Sequence, residues 1–306
     1  MYAGFDLGGS QLKYGLLDSQ RHVVKDGLSP TPMEKKGLLD LVTDCLARMK
    51  GWTDSPILAA GFGLPGLYDH REKAMIRSPH LPYLDGYRIT TDLEGLLGCP
   101  LAVDNEANLA AFGEFKAGAG RGLDSLALVT VGTGIGAGLV LDGEIWQGAG
   151  FAGELGHIPI GAEGFPCTCG NRGCLETEVS APAIVRVYRD LSGHRQPTSF
   201  SDVVQAAKGG DGLARESFAR AGRGLGRGIA VLINLIHPEK ILLGGGVLEA
   251  GDFLMAPARE EAGKLSIPSS FQRTTIEKSG LGNRAGFIGA ALMAADLFDS
   301  TKEPGS

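Results

Sequence analysis

Three times along this chain an apolar run meets a cluster of glycines. Residues 2–6 lead into Gly8-Gly9-Ser10, residues 126–131 into Gly132-Thr133-Gly134, and residues 240–243 into Gly244-Gly245-Gly246. After the first two, a second apolar run follows at once, at 12–17 and 138–141. A strand that ends in glycine lets backbone N–H groups crowd around an anion, and Ser10 and Thr133 add hydroxyl donors. One such turn is equally well a tight strand connection. Three, two of them with a hydroxyl, restrict the chain to folds with several anion-facing strand ends. The strand, glycine turn and returning strand at 2–17 recur at 126–141, which points to a topological duplication.

Between these landmarks the apolar spacing predicts a helix over 36–50, strands at 57–61 and 101–103, and a helix over 107–117. Residues 150–178, rich in Gly, Pro and Cys, are expected to be irregular. Helices are predicted at about 181–191, 200–208, 213–235, 249–263 and 285–298, with fraying from Lys302 to Ser306. Such alternation defines an α/β protein. At 306 residues the chain suits two domains. Pattern alone places the division near residue 117, giving a first α/β domain at 1–117 and a second at 118–284.

Composition removes several function classes. The 29 basic and 35 acidic residues leave a net charge of −6 with no long run of either sign, which argues against a nucleic-acid-coating role. No apolar stretch approaches the roughly 18–20 residues of a membrane span. The first residues lack the basic and apolar regions of a secretory leader, so a cytoplasmic location is expected. The five cysteines, an odd number, fit a reducing compartment.

A dinucleotide site is disfavoured. Gly61-Phe62-Gly63-Leu64-Pro65-Gly66 has the G-x-G-x-x-G spacing, yet Pro65 lies inside it and no helical face follows to present amides to a pyrophosphate. Gly132-x-Gly134-x-x-Ala137 is followed by a strand instead. Gly222, Gly224, Gly226 and Gly228 fall within one predicted helix, where small residues permit close packing.

Cys167, Cys169 and Cys174 lie ten residues or more beyond His157. Three thiolates and an imidazole suit a closed tetrahedral Zn²⁺ site that is structural and leaves no open position. The alternative is three reduced thiols and an unrelated histidine. Glu154 and Glu176 flank the same segment. At Asp104-Asn105-Glu106-Ala107-Asn108 an apolar strand meets a helix, where open α/β sheets bind ligands. Two readings stay open for these polar groups: hydrogen-bonding a polyol and accepting its proton, or capping the helix and matching its dipole.

Taken in order, Asp6-x-Gly8-Gly9-Ser10, Asn105-Glu106-Ala107-Asn108, Glu154-Leu155-Gly156-His157 and Cys167-x-Cys169-Gly170-x-x-Gly173-Cys174-x-Glu176 resemble the ROK family of repressors, open reading frames and sugar kinases over nearly the whole chain. The resemblance implies a two-domain ATPase fold of the actin/hexokinase type. Two ribonuclease-H-like motifs would flank a cleft, and the C-terminal helix at about 285–298 would return to the first domain. It implies ATP and Mg²⁺ as cofactors. Asp6, Gly8, Gly9, Ser10 and Lys13 would form one phosphate loop, Gly132, Thr133 and Gly134 a second, and Gly244, Gly245 and Gly246 would approach the adenosine. Gly66, Asn105, Glu106, Glu154, His157 and Glu176 would hold the sugar, with His157, Cys167, Cys169 and Cys174 on zinc.

The implied reaction is phosphorylation of a hexose at its 6-hydroxyl, glucose first, with Glu106 as base. Alternatives are a kinase for N-acetylglucosamine, N-acetylmannosamine or fructose, or a non-catalytic sugar sensor. A homodimer is implied, and DNA binding is not expected, since only five residues precede Asp6. Three positions depart from the family pattern. Glu106 stands where kinases usually carry Asp, its stem longer by about 1.5 Å; Gln11 replaces a frequent Lys, and His80 a common Asn.

Overall fold

The computed structural model describes residues 1–161, 164–193 and 199–302. The described chain divides into two compact units. The first comprises Met1–Gly122, Gly138–Ala152 and the segment from Gly280 onward; the second comprises Leu123–Ala137 and Gly153–Ser279. The expected cut near residue 117 therefore moves to residue 122. Residues 138–152 group with the first unit, a rearrangement that strand pattern alone does not reveal. Of the segment expected to fray, residues 303–306 lie outside the described residues.

In the first unit, β1 (Tyr2–Leu7), β2 (Gln11–Leu17) and β3 (Val23–Pro30) form an antiparallel meander. The helix α1 (Lys35–Lys50) follows, then β4 (Ala59–Leu64) and the hairpin of β5 (Leu67–Asp69) and β6 (Ala74–Arg77). After these come α2 (Ile89–Leu97), β7 (Leu101–Asn105) and α3 (Glu106–Ala117). The strands order as β3-β2-β1-β4-β7, with β1, β4 and β7 parallel. One sheet face is closed by Leu38, Val42, Cys45 and Met49 of α1 and by Leu93 of α2. Because β4 continues into a hairpin, the glycine run at 61–66 opens no helix, which accounts for its failure as a dinucleotide loop.

The second sheet repeats this order. It contains β8 (Leu126–Val131), β9 (Ile135–Leu141) and β10 (Glu144–Ile145), then β11 (Lys240–Gly244) and β12 (Thr275–Lys278), arranged β10-β9-β8-β11-β12. Position by position this matches β3-β2-β1-β4-β7, the duplicated ribonuclease-H-like motif of the actin/hexokinase class. Helices α4 (Leu175–Val179), α5 (Ala181–Ser192), α6 (Phe200–Lys208) and α7 (Gly212–Leu235) precede β11. Helices α8 (Asp252–Leu265) and α9 (Pro268–Arg273) follow it. The glycines of α7 serve packing: a Cβ at Gly222 would fall 2.5 Å from the Leu254 carbonyl oxygen of α8.

The last helix, α10 (Ala285–Ser300), lies in the first unit and covers the other sheet face with Phe287, Ile288, Ala291 and Leu292. It sits unusually close. A Cβ at Gly4 of β1 would be 1.9 Å from the Phe287 oxygen, and one at Gly61 of β4 1.9 Å from the Ala290 oxygen. No larger residue fits without moving backbone.

Several elements escape the periodicity. Strand β3 is mostly exposed and carries Lys25 and Asp26, while β12 buries only Ile276; neither shows an apolar alternation. The supposedly irregular stretch 150–178 contains a 3₁₀ turn at Leu155–His157 and the short α4, both too brief for a helical repeat. Strand β9 begins at Ile135, not at 138, and α8 at Asp252, after a 3₁₀ turn over Gly246–Ala250.

Candidate active site

Register aligns the first unit's polar residues. Asp6 of β1 pairs with Gly63 of β4, and Gly63 with Asp104 of β7, so three parallel strands end side by side. This carboxyl edge is where open α/β sheets present ligand groups. Asp6, 6% exposed, holds Lys13 across the β1–β2 pair at 3.0 Å. The turn between them is closed by the Gly8 N–H donating to the Gln11 oxygen at 2.9 Å. The Gly8 carbonyl accepts from the Thr31 hydroxyl at 2.7 Å. His80, a departure from the family pattern, packs against Gly9, where an added Cβ would stand 2.9 Å from its own.

At the end of β7, Asn105 caps α3: its Oδ1 accepts from the Ala107 N–H at 2.8 Å. Its Nδ2 donates to the Gly66 carbonyl at 2.8 Å. Gly66 and Asn105 thus meet, and Glu106 opens the first turn, where the helix dipole favours an acid. The capping reading holds for Asn105; it leaves the Glu106 carboxylate as the chemical group of this junction. A Cβ on Gly63 would lie 3.2 Å from Leu109 Cδ1 and in ordinary contact, 3.5 Å, with the Glu106 Cα, so β4 packs directly under the start of α3.

The second unit gathers the remaining groups. The Gly132 N–H closes the second glycine turn onto Gly134 O at 2.9 Å, and Gly132 O accepts the first N–H of α5, from Ala181, at 2.8 Å. Glu176, on α4, buttresses this turn: its Oε2 accepts from the Ile135 N–H at 2.9 Å. The third glycine turn packs on the same strand end. Gly245 has φ +91, and a Cβ there would fall 2.3 Å from the Val131 oxygen, so this position admits glycine alone. Beside Thr133 a cavity of about 560 Å³ opens, walled by Pro182, Arg186, Arg189 and Phe200. Arg186 stacks over Phe165 of the cysteine-rich segment, 3.6 Å from the ring centre, and donates to the Thr177 carbonyl.

The candidate metal centre is compact. One ligand atom from each of His157, Cys167, Cys169 and Cys174 lies within 4.8 Å of all the others. Nδ1 of His157 faces the Cys167 sulfur at 3.5 Å, and the Cys169 and Cys174 sulfurs are 3.6 Å apart. Burial and the neighbouring thiols push Cys174 up to about 12. The Asn171 backbone N–H pulls Cys169 down. A donor set of three crowded sulfurs and one imidazole fits Zn²⁺, which would displace the thiol protons. The other ring nitrogen of His157 faces Glu154 at 3.8 Å. Burial raises the Glu154 carboxyl; His157 opposes this and the charge of Glu176 adds to it. Glu154, His157 and Glu176 therefore form one polar group within this unit.

Sequence reasoning passed over Gln147, His70 and Arg186. Gln147 donates to Asp104, His70 lies 3.6 Å from the same carboxylate, and Arg186 lines the cavity; each contact joins segments remote in sequence, with no local spacing to signal it.

A model of the ROK family matches residues 2–297. A glucokinase of Halalkalibacterium halodurans is 34% identical over 99% of this chain and 97% of its own length. A xylose repressor of Caldicellulosiruptor bescii is 30% identical over 86% of this chain and 70% of its own. Among solved structures, a ROK family glucokinase from Streptomyces griseus in complex with glucose and AMPPNP superposes with a TM-score of 0.83 at 28% identity, covering 96% of this chain and 99% of that one. With the duplicated sheets and the cysteine–histidine cluster in place, the chain belongs to the ROK family.

Proposed function

We propose that this protein is an ATP-dependent sugar kinase that phosphorylates a hexose on its 6-hydroxyl, with glucose the first substrate. The observation that carries the reading is the start of α3: Asn105 caps the helix and binds Gly66, and Glu106 issues from its first turn. The full-length similarity to glucokinases supports it.

In this reading Gly66, Asn105, Glu154, His157 and Glu176 hold sugar hydroxyls. Glu106 takes the 6-hydroxyl proton as that oxygen bonds to the γ-phosphorus, and the bond to the ADP oxygen breaks. The work is positioning and charge stabilisation. The loop of Gly8, Gly9, Ser10 and Lys13 and the loop of Gly132, Thr133 and Gly134 take the phosphates, with Gly244 to Gly246 toward the adenosine and the cavity beside Thr133 available to the nucleotide. Asp6, an oxygen donor at the strand end, suits the waters of Mg²⁺, which supplies charge neutralisation when bound. The His157, Cys167, Cys169 and Cys174 set holds a structural Zn²⁺. A homodimer completes the proposal.

A second reading, a sugar-binding regulator without kinase activity, is favoured by Glu106 itself and by the likeness to the xylose repressor. One assay separates them: ADP release from Mg-ATP over a panel of hexoses and N-acetylhexosamines, with Glu106→Asp run alongside. Transfer by the wild type supports the kinase. Hexose binding without transfer by either protein overturns it in favour of the sensor. Among the described residues no helix is long and apolar enough to cross a membrane.

A further inference from the structure

The proposed chemistry makes no use of a carboxylate that lies between the sheet and the base. Asp104 is the penultimate residue of β7, its side chain 1% exposed, two residues before Glu106. A buried carboxylate is costly unless its lone pairs are filled, and here they are filled from both sides. Oδ1 accepts from the Asn105 N–H at 2.6 Å and from Asn108 Nδ2 at 2.9 Å. These donors bracket Glu106 in sequence, so one oxygen grips the cap and the first turn of α3 together. Oδ2 accepts from Gln147 Nε2 at 2.6 Å. His70 closes the cluster: its Nε2 is 3.6 Å from Asp104 Oδ1 and 3.2 Å from Gln147 Nε2, and its ring meets the edge of Tyr68 at 5.0 Å between centres.

Gln147 is anchored in turn. Its carbonyl accepts from the N–H groups of Gly150 and Ala152, at 2.8 and 3.1 Å, which folds the turn after β10 around it. Three parts of the first unit thus converge on one carboxylate: the start of α3, the turn after β10 and the β5–β6 hairpin. Asp104 thereby ties the cap and first turn of α3 to the two other parts.

We propose that Asp104 is a positioning residue for the base, its carboxylate braced by Gln147 and His70 so that the first turn of α3 holds Glu106 at the reacting hydroxyl. This rests on the kinase reading. As the amides are seated, the carboxylate meets donors on both oxygens. An asparagine at 104 must turn its NH₂ either against the fixed Asn105 N–H or toward Gln147. There it pairs only if the Gln147 amide flips to present Oε1 and so withdraws its NH₂ from His70. A glutamate at 147 would supply the missing acceptor and restore the pair with its polarity reversed and its net charge unchanged.

The test compares wild type, Asp104→Asn, Gln147→Glu, the double variant and Gln147→Ala, with kcat, both KM values and Tm for each. Phosphoryl transfer by the wild type is the control for the kinase reading; without it that reading falls and the role of Asp104 falls with it. With an active wild type, Asp104→Asn should lower kcat by about tenfold to a hundredfold, the scale of a 1 Å displacement, with KM for Mg-ATP changed less than about twofold. Gln147→Glu alone, two carboxylates face to face, should also lose kcat. The double variant should return to within about threefold of wild type, a coupling that independent sites do not show. A merely structural role would lower Tm and leave the kcat of the folded protein intact. Asp104→Asn with wild-type kcat, or a double variant no better than the singles, overturns the proposal. Should Asp104→Asn not fold, Gln147→Ala decides: a severalfold loss of kcat with little change in Tm supports the role, and an unchanged kcat refutes it.

Discussion

A general base works through distance, so if Glu106 is the base of the proposed kinase, the methylene that separates it from the usual aspartate must be absorbed nearby. Asn105 and Asp104 hydrogen-bond the backbone and side chains of the first turn of α3. If Glu106 takes the proton, Glu106→Gln should lower kcat by about 10²–10⁴-fold, the usual worth of general base catalysis. Sugar affinity, read by calorimetry, should stay close to wild type because the amide keeps the side chain's shape. A variant with normal turnover would remove Glu106 from the chemistry. At this scale the sequence is informative wherever a residue's task is local. The strand–helix junction at Asn105 marks a cap or a polyol-binding group, between which the structure shows the cap, and the cysteine spacing reads as a metal loop. The partners of Asp104 are invisible there because Gln147 and His70 reach it only through tertiary folding.

Among the elements, the cysteine-rich segment has the least regular structure to support it and the most to gain from an ion. Its order bears on its surroundings: Phe165 lies under Arg186 of α5, and Cys174 is the N-cap residue of α4, which carries Glu176 against the second glycine turn. Removing the metal with a chelator should release about one equivalent of Zn²⁺, lower Tm by several degrees and weaken nucleotide binding measured by calorimetry. Cys169→Ser, at the most exposed ligand, should reproduce the shift in part. Unchanged stability with metal absent would mean that the four side chains cluster for another reason. Strongly periodic elements such as α1 and α7, and buried strands such as β1 and β8, are legible from the spacing of their apolar residues. Strand β3, with its polar exposed face, and α4, a single turn and a half, owe their form to neighbours and not to their own pattern.

On the scale of the whole molecule, each unit is assembled from separate stretches of chain, and the first depends on α10 for one whole face of its sheet. Stopping the chain at Arg284 should therefore expose Tyr2, Ala59 and Phe112 and yield insoluble or non-cooperatively unfolding protein. A point variant probes the same contact. Gly4→Val, which would drive a side chain into the Phe287 backbone, should destabilise by at least about 1–3 kcal/mol in urea denaturation. A truncated chain that unfolds cooperatively with the wild-type midpoint would show that α10 is dispensable.

The seating of α10 against bare glycine backbone also sets an order of events in the cell. Translation at about 5–20 residues per second leaves the opening strands waiting on the order of ten seconds or more for the helix that covers them. During that interval an uncovered apolar sheet is displayed to chaperones, proteases and other nascent chains. Maturation of the part made first is thus governed by the part made last, and a ribosome that stalls late releases a product whose earliest-built half has never closed.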